Sequence, residues 1–251
     1  MSRRAATAIT RTGIVLVMFA MWELAPRIGL VDARLLAPAS EVIATLGALL
    51  ATGKFWSHLG VTLAETMVAF LIAVPLGAVL GIAIAESRFA SALFKPLVFF
   101  IFSIPKSIFL PIFILTFGIV FWQKVAFGVF STIFIVMMTA FAAIESVREE
   151  HLRVARSYGA TMFQTVTRVY LPSMTPVLLE AVRLAMIFNF TGILLAEMYA
   201  SREGLGNLIG AWGQGFQLKE LLAAILLVSV LAIIFNELVR YYESKCEHWR
   251  G

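Results

Sequence analysis

Ser146–Pro172, SVREEHLRVARSYGATMFQTVTRVYLP, is a polar island between long apolar segments. Its spacing predicts two short helices. Ser146 with Glu149, and Thr161 with Gln164, each match the capping box, in which a hydroxyl and the side chain three residues on satisfy reciprocal backbone donors. Gly159 falls where the first helix needs a left-handed residue to end it. Pro172 lacks a donor and clashes with the turn before it, so it is expected to stop the second helix. The island therefore reads as a helix–turn–helix at a membrane face, shaped to dock into something.

The surrounding composition makes that face a membrane face. Of 251 residues, 61% are apolar and only 14% charged, where a soluble domain carries about 25% charged residues. Thr66–Ala85, Val125–Ile144, Ser107–Gln123 and Leu221–Asn236 contain no charge at all. Runs of about 17–25 such residues cross a bilayer as helices. Gly13–Leu30, interrupted by Glu23 and Pro26, and Thr175–Ala200, interrupted by Arg183 and Glu197, bring the expected total to six transmembrane helices. With the N-terminus inside, the far side would hold Arg27, Arg34, Lys54, Lys124, Arg202 and Lys219, and Lys106 would lie within a span. The other thirteen of the 20 basic residues fall inside. The positive-inside bias thus places both termini and the island in the cytoplasm. The net charge of +5 is a matter of membrane orientation and implies no nucleic-acid partner.

The chain reads as one membrane domain over residues 1–251, with a tail at 1–12, the cytoplasmic loop at 146–172 and a second tail at 243–251. The N-terminal basic residues and apolar run resemble a signal peptide, but a small-residue site comes only at Ala37–Ala39, so an uncleaved helix is expected. Ser40 with Ile43, Leu46, Leu49 and Leu50 predicts a short amphipathic helix on the outer surface with a serine cap. Gly77 and Gly81 allow close helix packing, within one subunit in preference to a dimer seam. Pro96, Pro105 and Pro111 interrupt Phe94–Val120, and Lys106 follows the middle proline. A proline in a span frees a carbonyl that protein or a wet cavity must satisfy. An intramembrane lysine marks a pathway or a structural pairing, and both readings stay open for Lys106. Asn189 and Glu197 lie on one side of their helix; Glu197 either sits at the outer interface or serves a gating or substrate role. Gly204, Gly206, Gly210, Gly213 and Gly215 predict a tightly turned outer-face loop.

Several chemistries are missing from the sequence. No phosphate-cradling Gly-Lys-Ser/Thr motif occurs, so the chain cannot bind ATP in that manner. His58, His151 and His248 fall in separate loops or tails, and Cys246 is the single cysteine, so no metal site is expected. No nucleophile elbow and no paired intramembrane carboxylates are apparent, which argues against an enzyme and against a self-contained ion-coupled transporter.

The island also carries a resemblance. Permeases of ABC importers bear a cytoplasmic signature: E-A-A, three residues, G, nine residues, I-x-L-P. Here Arg153-Val154-Ala155 is followed after three residues by Gly159, and after nine more by Val169-Tyr170-Leu171-Pro172. Arg153 replaces the usual acid and Val154 the first alanine. The resemblance to the nitrate, sulfonate and taurine type extends from about Met21 to Tyr242. It runs through Trp22-Glu23-Leu24, Leu36-Ala37-Pro38, Ile104-Pro105, Leu110-Pro111, Ala155-Arg156-Ser157, Gly159-Ala160, Ala196-Glu197-Met198 and Gly204-Leu205-Gly206.

That resemblance implies an all-α membrane protein of the type I ABC importer permease architecture, working as a homodimer. Its partners would be two cytoplasmic ATP-binding subunits and an extracytoplasmic solute-binding protein. ATP would be bound by the partner, and the chain itself would need no cofactor and catalyse nothing. The coupling surface would comprise Leu152, Arg153, Val154, Ala155, Ser157, Gly159, Ala160, Leu171 and Pro172, with Phe163, Val166, Val169 and Tyr170 anchoring the second short helix. Pro105, Lys106, Asn189 and Glu197 are the pathway candidates. The cargo would be a small organic anion such as a sulfonate, carboxylate or nitrate, or alternatively a pyrimidine or aromatic nutrient. A secondary transporter or channel is the competing class.

Overall fold

The computed structural model describes residues 3–32, 36–147 and 149–247, and helices are the only regular structure among them. They run α1 (Arg3–Arg27), α2 (Ala39–Leu50), α3 (Gly53–Glu86), α4 (Arg88–Ser103), α5 (Leu110–Phe117) and α6 (Phe121–Glu145). Then follow α7 (Glu149–Ser157), α8 (Met162–Thr165), α9 (Leu171–Tyr199), α10 (Leu205–Gln214) and α11 (Leu218–Glu247). Among the described residues, four helices are long and apolar enough to span a membrane, within α3, α6, α9 and α11. A fifth span is possible if the bent α4–α5 pair counts as one.

The centre of the fold is a three-helix contact of α3, α6 and α9, and small residues make it. A Cβ on Gly77 would lie 2.8 Å from the Val136 side chain, and one on Gly81 would lie 2.6 Å from that of Ala140. One on Gly128 would meet Ile193 and Asn189, each at 2.8 Å. Lipid tails give no hydrophobic drive between helices, so backbone proximity of this kind is what holds spans together. Gly77 and Gly81 therefore serve packing within the subunit. Around this centre, α2 packs on α11 through Val42 and Ala223, with Trp22 of α1 against them. Elsewhere on α1, Ile14, Val15, Leu16, Val17 and Met18 are exposed.

Several sequence expectations need correction. Ser107–Gln123 is not one span, because a 3₁₀ turn, α5, a break at Gly118 (φ 74°) and the start of α6 divide it. Hydropathy registers lack of charge and is blind to backbone direction. The amphipathic helix exists as α2, but Pro38 occupies the cap position and Ser40 lies inside the helix. The cap comes from Glu23, whose carboxylate accepts from Ser40 N and Oγ, both at 2.9 Å.

Candidate functional site

The polar island keeps its predicted turn and changes at both ends. Gly159 has φ 71°, and Ala160 N donates to Ala155 O while Gly159 N donates to Arg156 O, both at 3.0 Å. This double closure satisfies the last carbonyls of α7 and needs the left-handed residue. The second capping box forms: Thr161 N donates to Gln164 Oε1 at 2.8 Å, and Gln164 N to Thr161 Oγ1 at 3.3 Å. The first does not. Ser146 ends α6, and its hydroxyl donates to Ala143 O at 2.7 Å. Nor does Pro172 stop a helix: α8 passes through a π turn, Val166–Tyr170, directly into α9, with the proline in the first turn of that helix. A first-turn proline removes a donor that has little use there, and the wide π turn absorbs the irregularity.

The anchoring side of this segment is Tyr170, buried against Ala143, Val147 and Met174, with Val166 and Val169 packed around them. Burial, reinforced by the Glu86 carboxylate, pushes the Tyr170 phenol up to about 12, so it stays a neutral hydroxyl. Phe163 does not join this anchor: it is 77% exposed, together with Val154 at 56% and Tyr158 at 87%. Arg153, Ser157 and Gly159 are exposed, and Ala155 and Ala160 half-buried. The side chains of Leu152, Leu171 and Pro172 lie outside the described residues.

At the opposite end of α6 and α9 lies a cluster that sequence reasoning missed. Lys124 Nζ donates to Glu65 Oε1 at 2.9 Å, and the two side chains are 7% and 0% exposed. Glu197 is wholly buried within the protein. It accepts from Thr62 Oγ1 at 2.7 Å and from Gly206 N at 2.6 Å. Thr62 Oγ1 in turn accepts from Leu205 N at 2.7 Å. Glu65 and Glu197 are both fully buried, Glu197 on Thr62 and Glu65 one helical turn farther along α3, so two buried carboxyl groups do gather here. His58 belongs to α3 and places Nδ1 3.2 Å from Gly204 O. Asn189, also fully buried, donates from Nδ2 to Thr66 O at 2.7 Å. Lys124 is therefore an ion-pair partner in place of an outer-surface charge. The signal available in sequence was a lone carboxylate, Glu65, at the head of an uncharged run.

The glycine-rich stretch is the helix α10 where a loop was expected. Gly206, Gly210 and Gly213 lie within it, at about 1 kcal/mol each against alanine. Their use is proximity. A Cβ on Gly204 would lie 2.2 Å from the Glu197 carboxyl, and one on Gly206 would lie 2.4 Å from Leu194 O. Gly204 also has φ 100°.

The pathway candidates divide between two places. Pro105 and Lys106 stand at the break between α4 and α5, which meet at 87°. Lys106 Nζ donates to the carbonyls of Ile101, Phe102 and Ile104 at 2.9, 2.7 and 2.8 Å, and lies 5.0 Å from the Phe102 ring centroid. The lysine thus caps the carbonyls that the break exposes. Lys106→Met is expected to lower unfolding stability in detergent by about 1–3 kcal/mol, by leaving those acceptors unpaired. Thermal unfolding should show Lys106→Arg close to the parent. Asn189 and Glu197 instead lie inside the helix cluster. A separate groove of ≈ 490 Å³, mostly apolar, opens between α3, α9 and α11; Thr66, Met67, Arg183, Ile187, Ser229 and Asn236 line parts of it. No group of three or more metal-ligating side chains occurs among the described residues.

Apolar spans, glycine-packed helices, one sharply broken helix pair and an exposed polar hairpin make this a helical multi-span membrane protein. Residues 73–248 match the family described as binding-protein-dependent transport system inner membrane component, and the chain belongs to that family of ABC transporter permeases. It is 26% identical to a putative aliphatic sulfonates transport permease of Bacillus subtilis, over 94% of this chain and 85% of the relative. It is 25% identical to the taurine transport system permease of Escherichia coli, over 95% and 89%. With a formylaminopyrimidine transport permease of Halalkalibacterium halodurans it shares 26%, over 99% and 98%. The fold resembles a chain from an inward-facing methionine ABC transporter (TM-score 0.63, 20% identity, 76% of this chain and 93% of that one). It also resembles a chain from a bacterial ABC transporter involved in alginate import (TM-score 0.66, 17% identity, 97% and 99%).

Proposed function

We propose that this chain is the translocation subunit of an ATP-driven, binding-protein-dependent importer in a bacterial inner membrane. The observation that carries the reading is the 149–165 segment. It is held from behind by Tyr170 and closed by Gly159, and it presents Val154, Tyr158 and Phe163 to solvent. Exposed apolar side chains on a polar hairpin mark an interaction site. In this reading the segment docks into a cytoplasmic ATPase, one copy per permease of a homodimer, and both termini are cytoplasmic. Contacts that differ between two ATPase states would bias the permease between inward-open and outward-open forms.

The cargo we propose is a small organic anion of the sulfonate kind. Two relatives bear sulfonate and taurine in their names. Lys106 also supports it: among the described residues no carboxylate pairs with that ammonium, so its charge stays uncompensated at the α4–α5 bend. Such a charge attracts anions.

The test is purification of the tagged chain from its own membrane, with identification of bound proteins. A stoichiometric ATPase is expected, and its absence would overturn the ATP-driven reading. Gly159→Arg should insert normally yet retain less than a tenth of the ATPase and of the uptake, since the turn loses its left-handed residue and gains a charged side chain. Normal uptake by that variant would refute docking at this turn.

A further inference from the structure

The Glu197 carboxylate has a use that the importer reading does not assign. α10 begins with no capping side chain of its own, because Gly204 fills that position. The first amides of any helix need acceptors, and the N-terminus favours a negative group. Glu197, from the preceding helix α9, supplies one by accepting from Gly206 N, while Thr62 of α3 accepts from Leu205 N and donates to Glu197. His58 Nδ1 holds Gly204 O from the same face of α3. Behind Glu197 stands Glu65, paired to Lys124 of α6. One carboxylate thus ties α9, α10 and α3 together. The space leaves no alternative packing, since a single added carbon at Gly204 or Gly206 would overlap the clamp.

We propose that Glu197 is a positioning residue for transport: its carboxylate fixes α10 on α3, so that the connection from α9 to α11 moves with the bundle as one body. α9 begins at the polar hairpin and ends at this clamp. α9 packs directly on both α10 and α11, and the clamp adds α3 to that contact. A displacement imposed on the hairpin is therefore passed on as the motion of one body while the clamp holds. The transport part of this inference rests on the importer reading; the clamp itself does not.

The clamp is tested on the permease alone in lipid nanodiscs, by hydrogen exchange. In Glu197→Ala, amides across 205–214 should exchange at least tenfold faster, with those in the middle of α3 and α6 unchanged. Glu197→Gln keeps an acceptor oxygen and should stay within threefold of the parent. Its role in transport is tested on the assembled transporter in proteoliposomes. Solute moved per ATP hydrolysed should fall at least fivefold in Glu197→Ala and recover in Glu197→Gln. Unchanged exchange in α10, faster exchange throughout the chain, or parental coupling in the alanine variant would each overturn the proposal. A parent chain that neither binds an ATPase nor transports would sink the importer reading, and the exchange result would still decide the clamp.

Discussion

Lys124→Met should destabilise the chain by about 3–5 kcal/mol, the usual cost of stranding one member of a buried ion pair. Glu65 has no exposed surface through which water could replace the lost ammonium. Removing the positive charge leaves two buried carboxyl groups with no cation between them. The same physics predicts a rescue. Glu65→Leu combined with Lys124→Met removes both charges, and apolar replacement of a whole pair is often neutral. Thermal unfolding of the parent, both single variants and the double variant in one detergent forms the cycle. A double variant no better than the worse single would show that the pair does more than neutralise itself.

Gly206→Val should destabilise the chain severely, by about 3 kcal/mol or more, through overpacking and a broken cap. Its first added carbon would lie 2.4 Å from Leu194 O and 2.6 Å from Glu197 Cβ. Neither neighbour can swing aside, since one is backbone and the other is the root of the clamped side chain. α10 must move, and the Gly206 N to Glu197 bond is lost with it. Gly47→Ala is the matching control. Nothing lies within 4 Å of a Cβ there, and alanine in an α2 interior position should be neutral or stabilising by up to about 1 kcal/mol. Comparable losses in the two variants, read by unfolding in detergent, would contradict the packing argument.

What the sequence made legible was local. Thr161 and Gln164 are three residues apart, Gly159 ends its own helix, and the uncharged windows at 66–85, 125–144 and 221–236 announce themselves by composition. What stayed hidden depends on tertiary approach. Lys124 and Glu65 are 59 positions apart and Thr62 and Glu197 are 135 apart, and no spacing rule connects them. Gly206 and Gly210 were misread as turn residues because glycine has two uses, free dihedrals and absence of bulk, and here the second prevails. Ser40 has the right identity for a cap, yet it lies inside α2 and Glu23 supplies the acceptor. The three carbonyls that Lys106 caps depend on a bend in the backbone that no spacing rule announces.

The π turn at Val166–Tyr170 acts as a phase shifter. Each residue of an α-helix advances the azimuth by about 100°, and a π turn accommodates one residue beyond the α count. The stripes upstream and downstream of it are therefore out of step by about that angle. Phe163 points to solvent, while Tyr170 and Met174, farther along the same continuous rod, point into the bundle. Without that extra residue, one stripe would have to serve both the interior and the exposed surface of the hairpin.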